Sequence, residues 1–255
     1  RVSTFVPIKN IYLPPYFKNL DEIGSLLNSF KKLESIIISP QNKNLIMNDD
    51  NILLGKSDDS IETFDAIVYA NRNITHITIP SSIKIISDSS FQNCSNLQSV
   101  DFSQNSILEI ISQNAFRSCV KLRSIKLPDS VKKIGKESLL DCCSLKNIIL
   151  GENSNLEEIE SNAFSGSSLQ SFEIPKKVTS IRYQAFDSCR NLSIVKFPSN
   201  SNLSNLENNT FYQTNLRHIV IPSYIKTLDF CCFSCCNNLS SAEFLGDRLE
   251  IGARL

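Results

Sequence analysis

One short sequence pattern recurs along this chain at nearly constant spacing. Its most regular position is a large apolar side chain, usually phenylalanine, and successive copies are 22 to 25 residues apart. These anchor residues are Phe91, Phe116, Leu139, Phe164, Phe186, Phe211 and Phe233. A period in the twenties is typical of a solenoid, in which each unit buries its apolar side against the next. The repeat therefore argues against a globular domain built around one cleft.

Each copy also contains a strand signal of the form Leu-x-x-Ile-x-Ile, as in the segment from Leu122 to Leu127. Apolar residues alternate at its end, which indicates a strand with one buried face. Proline follows the strand at Pro80, Pro128, Pro175, Pro198 and Pro222. Because proline has no N–H to give a ladder, it ends the strand. We expect successive strands to stack as a parallel sheet about 4.8 Å apart, with a short helical or 3₁₀ turn on the opposite face.

The links that follow the strands alternate in length. Leu127 and Ile134 are seven residues apart, whereas Phe102 and Ile111 are nine residues apart, and later units repeat this order. The longer links are rich in Ser, Asn and Gly, which are turn residues. The pattern predicts a module of two units, with a polar bulge along one rim on every second unit.

The N-terminal part is less regular. Residues 33–38 fit the strand pattern, whereas residues 45–54 predict a β-hairpin and residues 66–69 a further strand. We therefore divide the chain into three segments: residues 1–32, an irregular first repeat or cap; residues 33–73, a repeat strand with the inserted hairpin; and residues 74–255, the regular repeats. The sequence begins without Met and stops soon after a repeat strand, so we expect it to be a fragment, truncated at its C-terminus.

Charge and hydropathy exclude two classes of partner. Lys and Arg number 26, as do Asp and Glu, so the formal net charge is zero. A protein that binds nucleic acid or anionic lipid through a general basic field is not expected to have this balance. The sequence contains no run of 18 apolar residues, so it predicts no membrane-spanning helix.

The repeat resembles the BspA-like leucine-rich repeats. The segment from Ile174 to Ile181 continues through residues 185–189 to Leu192 and matches that family's pattern at nearly every position. The resemblance covers about residues 33–245 and implies a horseshoe-shaped solenoid with a parallel sheet on its concave face. It also implies a surface antigen of a bacterium or protist with a role in adhesion to host proteins or cells. Leu27 and Leu139 depart from the pattern, because they replace phenylalanine.

Nine cysteines suggest disulfides or a metal site, but the repeat frame favours another interpretation. Five of them follow an anchor by three residues: Cys94, Cys119, Cys142, Cys189 and Cys236. Such a column is typical of small buried side chains, so we predict free buried thiols. Neighbouring units would bring Cys94 and Cys119 within disulfide distance, although parallel side chains disfavour the bond.

The cluster at residues 231–236 has half of a zinc-ribbon spacing in Cys232-x-x-Cys235. No second CxxC completes it. We predict that Cys232 takes the alanine position before Phe233, and that Cys143, Cys231 and Cys235 are the more exposed thiols.

The sequence favours a binding protein over an enzyme. His76 and His218 occupy equivalent strand positions several repeats apart, so they cannot share a metal or substrate. No nucleophile–base grouping or glycine-rich phosphate loop is evident, and we predict no catalytic residue, cofactor or metal.

The variable residues between the apolar strand positions point out of the sheet. They form the predicted protein-binding face: Asp101, Ser124, Lys126, Asn147, Ile149, Glu173, Lys196, His218 and Glu243. Mixed charges with isolated apolar residues suit a protein partner better than DNA or lipid. The alternative is a solvated face whose charges serve solubility.

Two hypotheses for function follow. The first is an extracellular adhesion module that binds a host or partner protein through the concave sheet. The second is a cytoplasmic leucine-rich-repeat scaffold, which free thiols would suit because thiols stay reduced there. The sequence identifies neither the partner nor the oligomeric state.

Overall fold

The structure, a computed structural model, describes residues 8–30 and 33–252, and the parts of the predicted segments at residues 1–7, 31–32 and 253–255 lie outside it. The N-terminal elements are β1 Asn10–Leu13, α1 Leu20–Ser29, β2 Ser35–Ile38, β3 Leu45–Met47, β4 Ile52–Gly55 and β5 Ala66–Ala70. The repeats follow as β6 His76–Ile79, β7 Ile85–Ile86, β8 Ser99–Phe102, β9 Ile110–Ile111, β10 Ser124–Lys126, β11 Lys133–Ile134, β12 Asn147–Ile149, β13 Glu158–Ile159, β14 Ser171–Glu173, β15 Ser180–Ile181, β16 Ile194–Lys196, β17 Asn205–Leu206, β18 His218–Ile221, β19 Thr227–Leu228, β20 Ser241–Phe244 and β21 Glu250–Ile251.

The repeats form a parallel β-solenoid, which confirms the predicted fold. The even-numbered strands from β6 to β20 make the first strand row, and they correspond to the predicted Leu-x-x-Ile-x-Ile segments. Equivalent residues of neighbouring strands lie opposite each other; Ser124, for example, has Ser99 on one side and Asn147 on the other. The parallel ladder therefore lines up each repeat position into a column along the molecule.

A second strand row was not predicted from the sequence. It consists of the two-residue strands β7, β9, β11, β13, β15, β17, β19 and β21. The second residue of each strand up to β19 is buried, as for Ile134 and Ile159, and these two residues pair with each other in the ladder. A strand of two residues is too short to show the period of two that identifies a strand, so the sequence did not predict this row.

The anchor segments form a third row, here called the anchor row. Its residues make consecutive turns with hydrogen bonds from residue i+3 back to residue i, such as Cys119 N to Phe116 O at 3.1 Å, and no continuous helix is assigned there. The residues two before and two after each anchor have positive φ, as for Asn114 and Ser118 at 56° and 58°. Three N–H groups of each unit then reach carbonyl oxygens of the following unit; Phe91 N, for example, lies 2.8 Å from Ala115 O.

The anchors fill the core behind these rows. Phenylalanine rings of successive units stack, with centroids 4.9 Å apart for Phe91 and Phe116 and 5.1 Å apart for Phe164 and Phe186. Leu139 sits between these two stacks and is equally buried. Burying each large side chain contributes roughly 1.5–3 kcal/mol. The stack thus binds each unit to its neighbours through the interior.

The N-terminal part contains the predicted hairpin and helix α1. β3 and β4 pair antiparallel, β4 pairs antiparallel with β5, and β5 pairs parallel with β7, so the insertion lengthens the second strand row. β2 pairs with β1. Helix α1 packs into a separate small core, which includes Leu13, Ile23, Leu27 and Val68. This core lies beside the main one at the start of the array.

The ladders are interrupted at three places. No ladder pair joins β12 to β14, β16 to β18 or β15 to β17 among the described residues. Seven- and nine-residue links alternate from β6 to β19, as predicted, but Phe244 and Ile251 are again seven residues apart. The last two interruptions flank the nine-residue link between Phe197 and Leu206, so this part of the solenoid is its least hydrogen-bonded junction.

Candidate protein-binding face

The structure places all nine residues of the predicted face on the first strand row, and all nine are exposed. They fall into two columns because side chains alternate along each strand. Ser124, Asn147 and His218 belong to one column. Asp101, Lys126, Ile149, Glu173, Lys196 and Glu243 belong to the other. The structure thus brings the residues onto one surface, while their role in binding stays a prediction.

The charged side chains of this face form no ion pairs with other described residues. Asp101, Lys126, Glu173, Lys196 and Glu243 take part in no ion pair within 4.0 Å among the described residues. Glu173 and Lys196 are opposite each other in the ladder, yet they too form no such pair. Charges that are not paired within the molecule remain available to a partner.

Two isoleucines interrupt the polar surface of the first strand row. Ile149 is 49% exposed and Ile194 is 50% exposed. Both lie on strands that border an interruption of the ladder, Ile149 on β12 and Ile194 on β16. Large apolar side chains among exposed charges are a feature of protein-binding surfaces.

Most of the ion pairs instead lie along the second strand row, which the sequence analysis did not identify. Glu109 lies between Lys84 and Lys132, with N–O distances of 3.8 and 3.1 Å. Lys133 contacts Glu158 and Glu160 in the next unit. The available signal was the alternation of charge at the residue before each of the first four two-residue strands, from Lys84 to Glu157. These pairs are partly exposed and contribute little individually.

The cysteine column is buried and its thiols are free, as predicted. Ser167 and Thr214 occupy the same position in the two units that lack the cysteine. Each position thus carries an S–H or O–H donor. Cys119 Sγ donates to Phe91 O at 3.2 Å, and Cys189 Sγ donates to Phe164 O at 3.1 Å. Four members of the column therefore donate to the anchor carbonyl group of the preceding unit: Cys119, Cys142, Cys189 and Cys236.

Burial makes these thiols poor nucleophiles. It raises the pKa of Cys142 and of Cys189 to about 12. The neutral thiol is the form that donates the hydrogen bond, and the thiolate is the reactive form. Cys143 and Cys235 are exposed, as predicted, while Cys231 is half-buried and Cys232 is buried in the alanine position.

Neither histidine belongs to a cluster. His76 lies on β6 and His218 on β18, so most of the first strand row separates them. Nδ1 of His218 is 2.7 Å from Ser241 Oγ on the neighbouring strand. The described residues contain no group of three or more His, Cys, Asp or Glu side chains arranged to hold a metal ion.

The family model for the BspA type leucine rich repeat region (6 copies) matches residues 62–193 and 157–254. The chain belongs to this family. Membership agrees with the resemblance found in the residues and with the solenoid described above. Comparison with curated proteins gave no match.

Two solved structures share the fold. A leucine-rich repeat protein from Bacteroides ovatus is 22% identical, with a TM-score of 0.56, over 97% of this chain and 60% of that chain. A leucine-rich repeat protein from Eubacterium ventriosum is 20% identical, with a TM-score of 0.56, over 91% of this chain and 54% of that chain. This chain thus spans little more than half the length of either structure. At these identities the likeness establishes the fold alone.

Within residues 8–30 and 33–252 there is no helix with the length and apolar character needed to cross a bilayer.

Proposed function

We propose that this chain is a non-enzymatic protein-binding module of a cell-surface leucine-rich-repeat protein. In this proposal a host or partner protein binds to the predicted face on the first strand row. The observation that carries the proposal is the set of exposed charges on this row that form no ion pair within 4.0 Å with another described residue. The BspA-type leucine-rich repeat also supports it, because stacked repeats offer long surfaces suited to macromolecular partners.

The experiment is partner capture with the whole array, followed by a charge exchange on the face. Lys126→Glu combined with Glu173→Lys preserves net charge and alters two exposed strand positions. We expect the affinity for the captured partner to fall at least tenfold, which is about 1.4 kcal/mol.

A matched control exchanges a charge pair beside the second strand row. Arg182 Nη1 and Glu207 Oε1 are 2.9 Å apart, so Arg182→Glu with Glu207→Arg keeps both the pair and the net charge. This variant should bind as the parent does. Unchanged affinity for the Lys126 and Glu173 variant would argue against the predicted face.

The intracellular scaffold is the second candidate, and one observation favours it. All nine cysteines are free, whereas secreted proteins usually oxidise thiols that lie close enough to pair. Labelling intact cells with a membrane-impermeant reagent separates the two hypotheses. Recovery of the labelled protein supports the surface role, and absence of label on an abundantly expressed protein supports the scaffold.

A further inference from the structure

A groove of about 850 Å³ runs between β16 and β18. Each strand is paired on its other side, β16 with β14 and β18 with β20, but the two strands that border the groove share no ladder pair. Residues 193–199 form one wall, and residues between 217 and 223 form the other. At about 3.3 Å per strand residue, these walls are roughly 20 Å long. The groove is thus shaped for an extended chain.

The charge lining this groove has one sign. The charged residues that line it are Lys196 and Arg217, and no carboxylate of the described residues does; His218 also lines it. Neither Lys196 nor Arg217 takes part in an ion pair within 4.0 Å among the described residues. Glu173 on β14 and Glu243 on β20 are opposite groove residues in the ladders, but both lie on the outer sides of the two walls.

Apolar side chains accompany these cations. Ile194 is 50% exposed on one wall, and Leu245 is 55% exposed at the edge of the groove. Pro198 and Pro222 line the groove where the strands end. A ligand complementary to this surface must therefore carry negative charge and at least one apolar side chain.

Other hollows along the first strand row differ in charge. The hollow beside β12 and β14 is lined by Glu152 and Glu173 as well as by lysines. The hollow beside β8 and β10 is lined by Asp101 and Asp129 together with Lys126. Charge complementarity to an acidic ligand is thus a property of the groove between β16 and β18.

We infer that this groove binds an extended acidic segment of a protein partner, with separate apolar side chains of the segment packed against Ile194 and Leu245. This inference rests on the proposed protein-binding function and gives it a location and a ligand chemistry. Because β16 and β18 remain neighbouring strands with Cα atoms within 8 Å of each other, the segment lies over the two strands and is not inserted between them. Lys196 and Arg217, which form no ion pair with another described residue, favour a segment that contains glutamate or aspartate.

The test is fluorescence anisotropy of the whole chain with a labelled peptide of about seven residues, close to the length of the walls. The peptide alternates glutamate with leucine, and two comparison peptides carry glutamine or lysine in place of glutamate. We expect the acidic peptide to bind at least tenfold more tightly than the glutamine peptide, and the lysine peptide to bind weakest.

Two double variants then locate the site. Lys196→Glu with Arg217→Glu reverses two cations of the groove. Arg123→Glu with Lys146→Glu reverses two cations that precede β10 and β12 in the position that Arg217 has before β18. All four residues are exposed, so folding should be retained. The groove variant should bind the acidic peptide at least tenfold more weakly, and the matched variant less than twofold more weakly.

A third variant tests the apolar contact. Ile194→Thr preserves the β-branched shape on the strand and should reduce peptide affinity about threefold to tenfold. Hydrogen exchange provides a readout independent of charge, because bound peptide should slow exchange in β16 and β18 but not in β8 and β10.

Three results overturn the inference: equal binding of the three peptides, equal loss in the two double variants, or protection spread evenly over the first strand row. Such results leave the proposed function intact if the captured partner still depends on Lys126 and Glu173. Conversely, a partner that ignores Lys126 and Glu173 but requires Lys196 and Arg217 contradicts the wider face while supporting the groove.

Discussion

At the scale of single residues, the position three after each anchor has a specific chemical role. Its cysteine, serine or threonine side chain is buried, and it donates to a carbonyl oxygen or to the side chain in the next unit. Cys189 contacts both Phe164 O at 3.1 Å and Ser167 Oγ at 3.3 Å. Phe164 O also accepts a hydrogen bond from Ser167 N at 3.0 Å, so the Cys189 thiol supplies a second donor to this oxygen.

This role predicts different effects for two substitutions of Cys189. Cys189→Ala removes this second donor and should lower the free energy of unfolding by about 0.5–1.5 kcal/mol, the net contribution of one hydrogen bond. Cys189→Ser keeps a donor of the kind found at Ser167, and it should cost less than half as much. Urea denaturation under reducing conditions measures both, with Cys143→Ala at an exposed thiol as the control. If serine proves as damaging as alanine, packing rather than hydrogen bonding governs the column.

At the scale of elements, helix α1 packs closely against the start of the repeats. Asn19 accepts a hydrogen bond from Glu22 N and caps the helix, while Ile23 and Leu27 are buried against the hairpin region. Gly24 lies between them, and a Cβ atom at this glycine would be 2.2 Å from Asp88 O. The backbone of the helix therefore approaches the first repeats as closely as only glycine permits.

Gly24→Ala should consequently destabilise the packing of α1 on the repeats. This is expected although the helix propensity of alanine is about 1 kcal/mol more favourable than that of glycine. We expect a net loss of about 1–3 kcal/mol, because the obstructing atom is backbone and the helix must move. Ser25→Ala on the exposed side of α1 should be neutral or slightly stabilising. The measurements are urea denaturation and hydrogen exchange of residues 20–29. A more stable Gly24→Ala protein would show that the helix can shift without cost.

At the scale of the whole molecule, stability depends on coupling between neighbouring units. The junction near residues 197–206 lacks ladder pairs in both strand rows. In the part of the chain that the structure describes, the regular backbone hydrogen bonds across it belong to the anchor row, such as Phe186 N to Thr210 O at 3.0 Å. The rings of Phe186 and Phe211 also stack across it, with centroids 5.4 Å apart.

We therefore expect residues 203–252 to open as one unit before residues 74–197 do. Native-state hydrogen exchange at low denaturant measures this order. Phe211→Leu should widen the difference between the two blocks, whereas Phe116→Leu, within continuous ladders, should lower the stability of its own block instead. A single exchange isotherm for both blocks in the parent protein would show that the anchor row alone couples them fully.

The sequence allowed some of these features to be predicted and not others. Side-chain period predicted the first strand row and the hairpin, because Leu45 and Ile52 belong to segments long enough to show a pattern. The anchor row could not be predicted in detail, since residues as different as Ser89, Glu137 and Cys231 share the same positive φ. Such a conformation is imposed by bonds to the next unit, rather than by local preference.

The candidate site could likewise be predicted from the sequence only in part. The nine exposed residues follow directly from alternation along each strand. The groove between β16 and β18 depends instead on which strands share hydrogen bonds, and neither Ile194 nor Arg217 indicates this pairing in the sequence. A single sequence does not indicate which strands of neighbouring units are hydrogen-bonded, so the groove could not be predicted from it.

The alternation of seven- and nine-residue links bears on how the gene for such a chain can change in length. Anchors two units apart, such as Phe116 and Phe164, are 47 or 48 residues apart. Recombination that adds or removes two units keeps the alternation of seven- and nine-residue links, so the polar bulges along the rim keep their spacing. Gain or loss of a single unit places two links of equal length side by side, as seen after Ile221 and Phe244. Heritable length variants should therefore differ mainly by pairs of repeats.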